Sequence, residues 1–287
     1  MKTVSTTLAW SKLGLGTGTL ASLGRAASTT EADRLVSSMV ELGIRVIDTA
    51  DAYGSGDCEY LLGRVIRGRR DSVTLVTKAG YRYSNLKGPL RCLNQIVKKL
   101  KQQIGPGQCF DPGYLEKCAE QSLDRLRAGH LDAFLLHNPA VSDIESGGVQ
   151  GALQRIKASG KAVAVGICSN NLRVLERASM MEGIDVVQTP AALDLASQLR
   201  LLWQCFHDRG IHIIGNHVFN PACLSRPGVG HEELMRACSA LMPAPATILC
   251  GTRKPSHLAQ SNGWAHAPLS EGEARALANR LSLSAPR

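Results

Sequence analysis

The sequence predicts a (β/α)8 barrel, an α/β fold of eight parallel strands alternating with helices. Three observations predict it. Short apolar and β-branched runs alternate with longer amphipathic stretches along the 287 residues, the pattern of βα units and a parallel sheet. Eight such runs can be counted, and about 250 residues is the usual length of this fold. The runs are continuously apolar, as strands covered on both faces must be. Residues 1–287 are therefore expected to form a single domain with a long loop after strand three and a C-terminal helical tail.

Residues 13–17 read as the first strand, and the seven or so before it as a short hairpin across the barrel floor. A helix follows at about 30–42, and Val46-Ile47 end a second strand at Asp48. Glu59, Leu61, Leu62, Val65 and Ile66 mark the next helix, and the β-branched run 73–77 the third strand. Residues 79–110 form a long irregular piece with turn signals at Gly88-Pro89 and Gly105-Pro106-Gly107 and room for a short helix at 98–101. Loops of that length usually carry function. Asp111 caps a helix with Pro112 in its first turn, where the missing N–H costs little. Its apolar stripe is Leu115, Cys118, Ala119, Ser122, Leu123 and Leu126. Strands are then expected at 131–136, 162–167, 186–187, 211–214 and 246–250. The helices between them are expected at 149–158, 174–181, 198–209 and 232–241. The tail helix, 270–281, opens on Ser270 and Glu273, a capping-box spacing.

Lys and Arg number 33 against 24 Asp and Glu, for a net charge of +9. The cations are scattered and aromatics are only 4%, so the stacking platform that single-stranded nucleic acid needs is absent. A solvated basic surface with no nucleic-acid partner is expected. Nine cysteines, an odd number with no C-x-x-C pair, argue for reduced thiols and against a disulfide framework or structural zinc. Without an apolar leader or an apolar run long enough to span a bilayer, a cytoplasmic protein with no membrane partner is expected. Gly16-Thr17-Gly18-Thr19-Leu20-Ala21 matches G-x-G-x-x-A, a dinucleotide fingerprint. That pattern needs an immediate helix and, about 20 residues on, an acidic residue ending a second strand. Here Ser22-Leu23-Gly24 follow and position 41 falls in a helix, so the barrel is preferred.

Chemistry on a parallel barrel sits at the C-terminal strand ends. Those ends carry Asp48 with Tyr53 five residues on, then Lys78, His137, Ser169-Asn170 and Gln188. A lysine ammonium beside a tyrosine favours phenolate and lowers its pKa. A carboxylate would hold that lysine charged, and a histidine would hydrogen-bond a carbonyl oxygen. Together they would polarise and protonate a C=O that receives a hydride. Blander readings exist for each. Asp48 could cap a helix, His137 could begin the turn at Asn138-Pro139, and Ser169-Asn170 could cap the next helix.

The stretches Leu13-Gly14-Leu15-Gly16-Thr17, Ile47-Asp48-Thr49-Ala50 through Tyr53-Gly54, and Thr77-Lys78 resemble the aldo-keto reductase superfamily. So do Gln121-Ser122-Leu123-Asp124-Arg125-Leu126, Leu135-Leu136-His137-Asn138-Pro139 and Gly166-Ile167-Cys168-Ser169-Asn170. The resemblance covers nearly the whole chain and is of the bacterial type. It implies a catalytic set at Asp48, Tyr53, Lys78 and His137, and NADPH, or less often NADH, as cofactor. It places carboxamide contacts at Ser169, Asn170 and Gln188. Phosphate and adenosine contacts fall on the segment after strand eight: Gly251, Thr252, Arg253, Lys254, His257, Gln260 and Ser261. Arg253 and Lys254 read equally as solvated charges.

The chain departs from the family at three places. The position that often stacks an aromatic ring on nicotinamide is Asn216, the common Arg of the adenosine turn is His257, and the usual Glu-Asn pair is Gln260-Ser261. Trp264 either lines the pocket from the C-terminal side or packs. The expected function is hydride transfer between nicotinamide and an aldehyde or ketone, or the corresponding alcohol or sugar hydroxyl, with Tyr53 as proton donor and a small-molecule substrate. The alternative is a nicotinamide-binding regulatory protein on the same fold. A metal-dependent hydrolase or lyase is disfavoured, since only Asp48 and His137 among the strand ends suit a metal. Thiol catalysis by Cys58 or Cys168 lacks a histidine base. Substrate identity, direction and oligomeric state are left open.

Overall fold

Eight parallel strands close into a barrel in strict chain order. The computed structural model describes residues 8–21, 26–82 and 107–282. The strands are β1 (Leu13–Gly16), β2 (Val46–Asp48), β3 (Thr74–Ala79), β4 (Leu131–His137), β5 (Ala162–Cys168), β6 (Val186–Pro190), β7 (His212–Asn216) and β8 (Ala246–Gly251). Around them lie α1 (Thr29–Glu41), α2 (Asp57–Val65), α3 (Pro112–Leu126), α4 (Val141–Glu145), α5 (Gly148–Ala158) and α6 (Leu172–Ala178). The ring continues with α7 (Ala196–Asp208), α8 (Pro221–Leu224), α9 (His231–Leu241), α10 (Pro255–His266) and α11 (Glu271–Ser282). The sequence expectations meet these elements closely. The exceptions are α10 and the short α4 and α8, for which no helix was expected. The 98–101 helix lies outside the described residues, as do residues 1–7. Residues 8–12 form no strand, so they do not make the expected floor hairpin.

Helix starts are set by side chains. Ser28 and Glu31 form a reciprocal capping box on α1, Asp111 accepts from Tyr114 N ahead of α3, and Ser270 and Glu273 cap α11. Each satisfies backbone donors that a helix end leaves open. The 16–21 segment makes turns, not a helix, which removes the Rossmann alternative.

The core has two layers. The larger lies between the sheet and the helices and includes Leu13, Leu15, Ile47, Leu75, Phe134, Ile167, Trp203 and Phe206, all essentially buried. The smaller fills the barrel interior with Val46, Val76, Ala133, Leu135, Ala164, Val186, Ile214 and Leu249, and Leu8 and Trp10 pack against it. Trp10 stacks on His212 at 4.0 Å. Burial holds the His212 imidazole down at about 4, hence neutral. This apolar plug closes the bottom of the barrel, so polar chemistry is confined to the top.

The ends of the 79–110 segment pair with each other. Tyr81 and Gln108 make an antiparallel bridge, and Cys109 N donates to Gly80 O at 2.7 Å. Among the described residues, eight cysteines are free thiols and no helix is long and apolar enough to cross a membrane.

Candidate active site

Side chains alternate in and out along a strand, and the register turns that alternation into a ring. Above the apolar plug, the last inward position of each strand faces a cavity of about 370 Å³. The first four strands supply Gly16, Asp48, Lys78 and His137. The last four supply Cys168, Gln188, Asn216 and Gly251. Gly16 is in register with both Asp48 and Gly251, and His137 with Cys168.

Lys78 is only 1% exposed. Its Nζ donates to Asp48 Oδ1 at 2.5 Å and to Thr49 O at 2.8 Å. Burial favours the neutral amine, but Asp48 and Tyr53 outweigh it, so Lys78 is held above its ordinary value and stays charged. Burial pushes Asp48 up against the pull of Lys78, with Gln188 also donating to it. The Lys78 Nζ stands 5.4 Å from the centre of the Tyr53 ring.

Tyr53 opens a one-turn 3-10 segment, Tyr53–Gly56. Gly54 and Ser55 there have φ of 59° and 57°, and Gly56 has 91°. The tight reversal leaves Tyr53 lining the cavity that Asp48 and Lys78 also line. The sequence expectation that Lys78 lowers the Tyr53 pKa holds only for that one influence. Lys78 pulls it down, yet burial and the Asp48 charge carry the phenol up to about 12. Tyr53 is therefore a protonated donor through neutral pH in the ligand-free protein.

His137 is buried and held edge-on by two tyrosines. Its ring centre lies 6.0 Å from Tyr53 and 4.8 Å from Tyr81, at 82° and 89°. Asn138 follows at φ 53° and donates to Tyr81 Oη at 3.3 Å. Gln108 Nε2 donates to the carbonyls of His137 and Asn138. His137 is the last residue of β4, in register with Cys168, and the turn begins at Asn138 after it.

The nicotinamide residues named from sequence separate. Gln188 lines the cavity at 2% exposure, and its Oε1 has no hydrogen-bond partner. Asn216 Oδ1, also buried, has none either. Both residues line the cavity, and side-chain amides, which donate and accept, suit a carboxamide. Asn170 lines the same cavity and meets His217 Nε2 at 3.3 Å. Ser169 does not line it. Its Oγ accepts from Asn171 N at 3.1 Å, stabilising the turn into α6, but the residue that caps α6 is Asn171, whose side chain accepts from Arg173 N.

The segment after β8 also separates. A second pocket of about 340 Å³ is lined by Cys250, Gly251, Thr252, His257, Gln260, Ser261 and Trp264, together with Phe219 and His231. Gly251 and Phe219 line both pockets, so the two adjoin. Ser261 is buried and accepts from Cys250 Sγ at 3.3 Å. Arg253 and Lys254 line neither pocket. Arg253 pairs with Glu31 at 3.5 Å, and Lys254 is the N-cap residue of α10. Trp264 does not line the central cavity; it lines this second pocket and packs against the core.

Among the lining residues that sequence reasoning missed are Gly16, Asn138, His217 and Phe219. Gly16 could have been found by counting inward positions back from Asp48. The others lie on turns, where no periodicity guides the reading. Among the described residues no group of three or more His, Cys, Asp or Glu is placed to hold a metal ion.

The mouth of this parallel barrel gathers a phenol, a buried ammonium–carboxylate pair and an imidazole around one cavity. The Aldo/keto reductase family model matches residues 12–228. The chain belongs to that family, and so to a family of oxidoreductases. It is 26% identical over 263 residues to the pyridoxal 4-dehydrogenase of Microbacterium luteolum, covering 84% of this chain and 75% of that protein. Several other curated relatives are matched over less than half of their own length. Among solved structures, the holo form of an aldo-keto reductase from Bacillus halodurans superposes with a TM-score of 0.77 at 21% identity, over 99% of this chain and 96% of that one. An aldo-keto reductase from Klebsiella pneumoniae in complex with NADPH superposes at 0.67 and 20% identity, over 95% and 92%. At those identities the two structures bear on the fold.

Proposed function

We propose that the chain, as one domain over residues 1–287, transfers a hydride between a nicotinamide dinucleotide, NADP(H) or NAD(H), and a small aldehyde or ketone, or the corresponding alcohol or sugar hydroxyl. The observation that carries this reading is the buried Lys78–Asp48 pair at 2.5 Å beneath Tyr53, beside His137. Such a pair is costly to bury and its position under a phenol gives it a use.

When bound, the nicotinamide supplies or accepts the hydride. Tyr53 Oη donates the proton to the substrate oxygen. Lys78 steadies the phenolate that remains, and Asp48 keeps Lys78 charged. His137, fixed between two tyrosine edges, holds the carbonyl oxygen. Gln188, Asn216 and Asn170 take the carboxamide, and the apolar plug below them excludes water from beneath. Ser169 serves the turn that carries Asn170. Gly251, Thr252, His257, Gln260 and Ser261 take the adenosine half in the adjoining pocket, with Arg253 and Lys254 on its rim. Similarity to a dehydrogenase named for pyridoxal supports alcohol–carbonyl chemistry, as does the family. The site needs neither a metal nor a nucleic acid, and we place the reaction in the cytoplasm on a small diffusible substrate.

Purified protein and Tyr53→Phe are titrated with reduced dinucleotides by fluorescence, then assayed on a panel of aldehydes and ketones. The expected outcome is binding by both proteins and carbonyl-dependent oxidation in the wild type. Tyr53→Phe should lose about 10²–10⁴-fold in turnover. Equal turnover by Tyr53→Phe removes the tyrosine from the reaction. Binding without turnover on any carbonyl favours a regulatory nicotinamide-binding role instead.

A further inference from the structure

We propose that the pocket beside β8 selects the unphosphorylated dinucleotide, NAD(H), over NADP(H). The inference rests on the functional reading above and concerns only which cofactor form the chain takes. A ribose 2′-phosphate is a dense anion, and proteins that choose it meet it with fixed cations, most often an arginine fork. Among the described residues, neither Lys nor Arg lines the pocket. Its polar groups are neutral hydroxyls, the Gln260 amide, the Cys250 thiol, and the imidazoles of His231 and His257. Gln260 is exposed on α10, and its amide can both donate to and accept from a free ribose hydroxyl.

The one guanidinium close in sequence is already engaged. Arg253 Nη2 lies 3.5 Å from both Glu31 carboxylate oxygens. Glu31 is itself fixed by the α1 capping box, accepting from Ser28 N at 2.8 Å. The rim where α1 meets the β8–α10 turn thus presents a carboxylate together with its cation. A phosphate arriving there must compete with Glu31 for Arg253 and meets that negative charge directly. A carboxylate on the ribose side is how dinucleotide sites favour the free 2′-hydroxyl. Lys254 is exposed beside this rim, but a lone flexible ammonium lacks the bidentate match of an arginine.

The test is equilibrium binding, read by fluorescence of NADH and of NADPH on the full chain without substrate. Wild type, His257→Arg and Glu31→Gln are compared by the ratio of the two dissociation constants. That ratio is internal to each protein and insensitive to the active fraction. NADH is expected to bind more tightly to the wild type. His257→Arg, which supplies a fork at the pocket wall, is expected to move the ratio about tenfold toward NADPH. Glu31→Gln keeps a side-chain acceptor for the cap and removes the charge. It is expected to move the ratio the same way by about threefold. Equal or tighter NADPH binding in the wild type overturns the proposal while leaving the oxidoreductase reading intact. An unchanged ratio in both variants overturns the assignment of selection to this rim. Binding of neither nucleotide sinks the functional reading itself.

Discussion

Lys78 shows how much one residue can decide. Its ammonium is buried with a single carboxylate partner, Asp48, and a backbone carbonyl. Removing one member of such a pair strands the other charge, at a cost of about 3–5 kcal/mol. Asp48→Asn should therefore lower stability to urea by about that much, and Asp48→Asn with Lys78→Met should recover much of it. Strict additivity of the two single changes would show that no coupled pair exists. Tyr53 gives a pH signature. Its phenol, carried up to about 12 by burial and Asp48 against the pull of Lys78, is protonated across the working range. Reduction uses the protonated phenol, so its rate should be flat from about pH 6 to 9 and fall only as the phenol ionises. Oxidation uses phenolate, so its rate should climb by up to about tenfold per unit over the same span. Initial rates in both directions check this, and a flat oxidation profile would contradict it. Asp48, Lys78 and His137 near strand ends and Tyr53 in the turn after β2 could be found from sequence, because each sits in its own short motif. The sign of the net shift on Tyr53 could not, because it depends on how deeply the closed barrel buries the phenol.

At the scale of elements, identical substitutions take opposite signs according to packing. Gly63 lies inside α2, where alanine ordinarily favours a helix by about 1 kcal/mol. A Cβ there would stand 2.4 Å from Arg125 O and 2.7 Å from Leu126 C, so α2 and α3 touch backbone to backbone. Gly63→Ala should destabilise by about 1–3 kcal/mol as the helices are forced apart. Gly263, inside α10, has nothing within 4 Å of an added Cβ, and Gly263→Ala should stabilise by up to about 1 kcal/mol. Thermal unfolding of the two variants separates them; a shared sign would mean the α2–α3 contact is looser than it looks. The contact has a polar lock beside it. Glu59 on α2 accepts from Arg125 of α3 and from Thr77 of β3, both at 2.6 Å, in a buried cluster. That lock ties α2 to the strand carrying Lys78. The apolar stripe of α3 was readable from its period, as was its Asp111 cap. The backbone contact at Gly63 and the pairing of Glu59 with Arg125 were not, since the partners stand 66 residues apart in sequence.

For the whole molecule, ligand binding should be felt as stability. All eight strands line the central cavity and β8 also lines the adjoining pocket, so an occupant that requires this ring binds only the folded chain. At about 100 times its dissociation constant, such a ligand adds about 2.7 kcal/mol. In a chain of this size that corresponds to roughly 5 °C in melting temperature. NADH should produce this rise and NADPH a smaller one at equal concentration. No shift with either would mean that the folded chain binds neither dinucleotide. The sequence by itself determined the order of strands and helices, because each rests on local periodicity, caps and turn residues. It also determined the identity of the polar strand-end residues, because each is the last of a short apolar run. Only the tertiary structure decided that Ser169 serves a turn while Asn216 faces the cavity, and that Arg253 spends its charge on Glu31. It alone joined the two pockets at Gly251 and Phe219. Those outcomes depend on closing the barrel: closure sets which way each alternating side chain points, and brings α1 against a turn more than 200 residues further along the chain.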